Sequence, residues 1–110
     1  MMSSHAANNL ELLRFLARAP PKARDAMLRN ASPSMIKGVC ECARNTLNGT
    51  VPTTAAQKRV LARHRAKLRS LAARGPLTRQ KRQTVQKGGA LVSTLLGIAL
   101  PALISILANR

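Results

Sequence analysis

Between Val51 and Lys87 the chain carries eleven Lys or Arg and no Asp or Glu, and from Gly88 to Asn109 it carries no charge at all. That junction limits what the chain can fold into. The cationic stretch must keep its charged heads in water, because a buried charge needs a partner and none is nearby in sequence. The uncharged stretch needs a packed core or a bilayer. All three acids, Glu11, Asp25 and Glu41, lie in the first 41 residues. Seven bases in the first 50 residues leave 7 − 3 = +4, the middle adds +11 and Arg110 adds +1, which makes the net +16.

At 110 residues the chain has room for one small domain with extensions. A charge of this size repels itself unless an anionic partner neutralises it, and nucleic acid or anionic lipid are the obvious partners. Phe15 is the single aromatic. Single-strand readers stack bases on aromatic rings, so contact with the phosphate backbone is the expected mode. No helix-turn-helix or zinc-finger spacing is visible, and sequence-specific reading is not expected.

The regular parts read as helix, and the expected class is all-α. Asn8-Asn9-Leu10-Glu11 resembles a capping box, after which Leu10, Leu13 and Leu16 share a face. Pro20-Pro21 separates this helix from a second, about Pro21 to Asn30, which should bury Met27, Ala23 and Leu28. Ser32-Pro33 opens a third, about Pro33 to Leu47, with Ile36, Val39, Cys40, Ala43 and Leu47 along one stripe. Asn48-Gly49 ends it as a turn; Asn48-Gly49-Thr50 also fits a glycosylation sequon, but the polar start and the charges Glu11 and Arg14 argue against a signal peptide. Cys40 and Cys42 project about 200° apart on a helix and cannot share one metal.

A second capping box, Thr54 to Gln57, predicts a single helix running to Gly75-Pro76. A helix of roughly 20 residues spans about 30 Å. Val60, Leu61, His64, Leu68 and Leu71 form its apolar side, while Lys58, Arg59, Arg63, Arg65, Lys67, Arg69 and Arg74 cover the rest. Arg79, Lys81, Arg82 and Lys87 follow in a basic stretch expected to be helical when bound and mobile when free. Gly88-Gly89 then breaks the chain before an apolar segment, Ala90 to Ala108, which as a helix would reach about 28 Å against a bilayer core of about 30 Å. The expected organisation is a helical module of about three helices (1–50), a basic amphipathic helix (51–75), a basic linker (76–89) and a hydrophobic tail (90–110). No enzyme is expected: His5 and His64 fall at no catalytic spacing, and no phosphate loop, metal-ligand spacing or cofactor motif appears.

The run Arg79-Gln80-Lys81-Arg82-Gln83-Thr84-Val85-Gln86-Lys87-Gly88-Gly89-Ala90-Leu91-Val92, with the Leu-Leu-Gly-Ile-Ala-Leu-Pro-Ala-Leu-Ile that follows, resembles the end of the adenovirus mu (late core, X) precursor. The whole chain is similar to small basic proteins of adintovirus and Polinton-like elements. This rests on Ala17-Arg18-Ala19-Pro20-Pro21-Lys22-Ala23-Arg24, Ile36-Lys37-Gly38-Val39-Cys40-Glu41-Cys42 and Gln86-Lys87-Gly88-Gly89. The resemblance implies a virion core protein in particle and host nucleus that condenses double-stranded DNA. It also implies a maturation protease cutting between Gly89 and Ala90, and contact with capsid components. The same glycines also read as a hinge. The chain departs from the mu family in its capped, acid-containing region from Asn8 to Asn48 and in lacking dense Arg clusters. The residues alone point to polyanion binding by the basic stretch; taken with the resemblance, the expected function is non-specific DNA binding through the bases named above, with a tail at residues 90–108 that engages membrane or another capsid component. The alternative is a tail-anchored membrane protein whose basic region lies on anionic lipid.

Overall fold

The computed structural model describes residues 4–108, with side-chain surroundings for those outside Ser4, 87–90, 103 and 106–108. The described chain is helical throughout: α1 (Ser4–Asn8), α2 (Leu10–Arg18), α3 (Pro21–Arg29), α4 (Pro33–Leu47), α5 (Ala55–Arg63), α6 (Arg65–Ala72) and α7 (Leu77–Ala108). The class is the expected one, but the subdivision is finer. The first 50 residues hold four helices rather than about three, and the single basic helix is two.

Helix α4 is the axis of the molecule. Ser32 caps it by accepting from the Met35 N–H at 3.1 Å, and Pro33 occupies the first turn. Asn48 closes it, Gly49 supplies a turn at φ +84°, and the Thr50 N–H donates to the Asn48 side chain. Helices α1, α6 and α7 all pack on α4, so Met35, Ile36, Val39, Cys40, Cys42 and Ala43 are buried on several sides rather than along one stripe. Gly38 lets α1 lie close: a Cβ there would stand 3.3 Å from the His5 carbonyl oxygen. The capping box expected at Asn8 and Glu11 is not made: Asn8 is the last residue of α1, and Asn9, just before α2, forms no side-chain cap. Asn9 instead donates to Ser34 Oγ and to the His5 carbonyl, both at 2.8 Å, pinning α1 to the start of α4, while Glu11 faces solvent beside Arg14. Leu47, expected inside, is 41% exposed because α4 runs past its neighbours there.

The capping box at Thr54 and Gln57 is present in full. The helix it starts ends at His64, whose φ −114° and ψ 19° leave the helical region, and α6 begins at the next residue. The break lets Leu68 and Leu71 reach α4 and α7 while α5 packs mainly on α6. Val60 is left 37% exposed, contrary to the helical-face expectation.

The basic linker and the tail form one bent helix. Its first limb, Leu77–Gln86, and its second, Leu91–Ala102, differ in direction by 107°, with the Gly-Gly pair at the bend. The stretch expected to be helical when bound and mobile when free is helical here, with Thr84 fully buried and Leu77 and Val85 packed on the core. In the second limb Leu91, Val92, Leu95, Leu96, Ala99 and Leu100 are buried in the same core as Leu13, Leu16, Leu28 and Ile36. Each buried Leu removes enough apolar surface to contribute about 1.5–3 kcal/mol. Ser93 Oγ donates to the Ala17 carbonyl at 2.8 Å, fixing this limb to the end of α2. The extents, 31 × 30 × 28 Å, leave no projecting rod. No single helix among the described residues is long and apolar enough to cross a membrane; the two limbs of α7 reach that length and apolarity only together, across the bend.

Candidate nucleic-acid interface

The basic residues expected to contact DNA lie on three consecutive elements. Lys58, Arg59 and Arg63 are exposed on α5, and Arg65, Lys67 and Arg69 on α6. Arg74 is exposed in the connection to α7, Arg79 and Arg82 are exposed on its first limb, and Lys81 there is half-buried. The side chain of Lys87 lies outside those described, as does that of Ala90 at the expected protease site. The helix breaks at His64 and at Gly75-Pro76 divide these charges among α5, α6 and the first limb of α7 with the connection before it.

Among the described residues the ion pairs are Arg14–Glu11 at 3.6 Å on α2 and Arg29–Asp25 at 2.9 Å on α3. Neither draws on the basic block, so its cations keep their full field. The acids lie on α2, α3 and α4, and Glu41 is turned inward, its Oε2 accepting from the Ala6 N–H at 3.2 Å. Cationic surfaces in general bind polyanions by displacing condensed counterions. Phe15 is 64% exposed but stands on α2, away in sequence from the basic helices.

Sequence reasoning missed three bases. Arg29 of α3 lines a groove with Lys81 and Arg82, and Lys37 and Arg44 of α4 meet Arg74 at a cleft. A signal existed for the second pair: Lys37, Glu41 and Arg44 follow each other at four and three residues, the polar stripe of an otherwise apolar helix.

Cys40 and Cys42 are both free and buried. Burial pushes Cys40 above its ordinary value, partly offset by a Thr84 hydroxyl contact and the Arg44 charge. Burial, then the charges of Glu41 and Cys40, push Cys42 up to about 12. No group of three potential metal ligands occurs among the described residues. The backbone of Gly88, Gly89 and Ala90 is helical and sits in the bend of α7. A protease that takes extended chain would have to open that turn. Comparison with family models, with curated proteins and with solved structures finds no match for this chain.

Proposed function

We propose that the protein binds double-stranded DNA without sequence preference and condenses it by charge neutralisation. One observation carries this reading: ten exposed or half-exposed bases on α5, α6, the connection after α6 and the start of α7, in a 37-residue stretch without an acid, are engaged by no ion pair among the described residues. Lys and Arg take the place of counterions on the phosphates and allow duplexes to approach. The likeness to adenovirus core precursors supports a place inside a virion, with DNA as the ligand. Burial of Leu91, Val92, Leu95, Leu96, Ala99 and Leu100 supports a structural role for the tail, since insertion into a bilayer would strip the core of those side chains.

A gel-shift titration with a random-sequence duplex tests the reading. Log K should fall linearly with log salt, with a slope of about −0.9 for each phosphate neutralised. Affinity that holds constant as salt rises would end it. Resistance of the full chain to carbonate extraction, with no association with DNA, would favour the tail-anchored alternative.

A further inference from the structure

A cleft of about 260 Å³ lies where α4 meets the connection between α6 and α7. Lys37, Glu41 and Arg44 line it from α4, Arg74 and Gly75 from the connection, and Gln80 from α7, with His5 at its edge. Three cations therefore converge on one concavity against a single carboxylate. That carboxylate is engaged by the Ala6 N–H, and it forms no ion pair with any of the three. Arg44 is held in place: its Nε donates to the Ala72 carbonyl at 3.0 Å, which also satisfies the end of α6. The other N–H donors of its guanidinium remain for an anion. Lys37 and Arg74 are exposed and reach the cleft from α4 and from the connection after α6.

We propose that this cleft binds a single phosphate group. An Arg fork anchored by the fold, flanked by two mobile cations, matches a tetrahedral oxyanion better than a flat charged face does. Two of the three bases, Lys37 and Arg44, lie outside the basic block, so the site does not rest on the duplex-binding reading. The phosphate is either one group of a DNA backbone or a free phosphate ester.

Full-length protein labelled with nitrogen-15 is titrated with inorganic phosphate at constant ionic strength. Saturable shifts are expected at the amides of residues 37–44 and 74–80. Lys37→Gln and Arg74→Gln should each weaken phosphate about tenfold, the scale of one charge-assisted hydrogen bond, whereas Lys22→Gln on α3 should leave it unchanged. A short duplex that shifts the same amides and expels phosphate identifies the backbone as source. A nucleoside monophosphate that binds there alongside duplex identifies a free ester. Shifts spread evenly over all basic helices, or reproduced by chloride, would overturn the proposal even if the duplex still bound.

Discussion

Cys40 and Cys42 show how position on α4 decides chemistry. A thiol on an exposed helix face would titrate near 9.0, whereas Cys42 is held up to about 12. Both should resist alkylation in the native protein at pH 8 and react at once when it is unfolded, which a mass-shift assay with iodoacetamide checks. The sign of the pH effect follows. With the folded value raised, the Cys42 contribution to stability is complete below about 9 and is lost as pH climbs from there toward 12. Denaturation midpoints measured across that window should fall less steeply in Cys42→Ser than in the parent. At the start of α5, Thr54→Ala removes the oxygen that accepts from the Gln57 N–H. It should cost about 1 kcal/mol of helix stability, read as faster amide exchange over residues 55–58.

At the scale of elements, α7 carries most of the consequence. Its first limb presents bases outward and Thr84 inward; its second supplies leucines to the core. Leu96 is fully buried, so Leu96→Ala should destabilise the protein by roughly 2–5 kcal/mol, measured by urea denaturation. A tail that served only as an anchor would show no change. The pairing of α4 with α6 is also built from particular groups, since Arg44 closes the end of α6 through Ala72. The break at His64 divides the basic stretch into two short helices, with Lys58, Arg59 and Arg63 on α5 and Arg65, Lys67 and Arg69 on α6.

For the molecule as a whole, one core draws on every segment from Ala6 to Leu100. A chain ending at Gly89 loses the leucines of the second limb, and its thermal unfolding should broaden and lose cooperativity. Its affinity for duplex DNA at low salt should persist, because the bases precede the cut. Replacing Arg59, Arg63 and Arg65 with Gln in the full chain should leave the melt nearly unchanged, all three being exposed and outside any ion pair. The salt slope of DNA binding should become shallower by about 0.9 for each contact removed.

The amino-acid sequence by itself determined the helical class, the caps at Ser32 and Thr54, the turn at Asn48-Gly49 and the exposure of the basic residues. These depend on neighbours a few positions away, or on the cost of burying charge, and both are written locally. Tertiary structure alone decided where the tail goes. An apolar run of 19 residues satisfies a bilayer and a core equally well by length, and in this fold it packs with Leu13 and Leu16 of α2, Leu28 of α3 and Met35, Ile36 and Val39 of α4. The same holds for the break at His64, which interrupts a helical period that runs on unbroken in the sequence. It holds as well for the meeting of Lys37 and Arg44 with Arg74, thirty or more positions on, which α4 and the connection after α6 bring to one cleft.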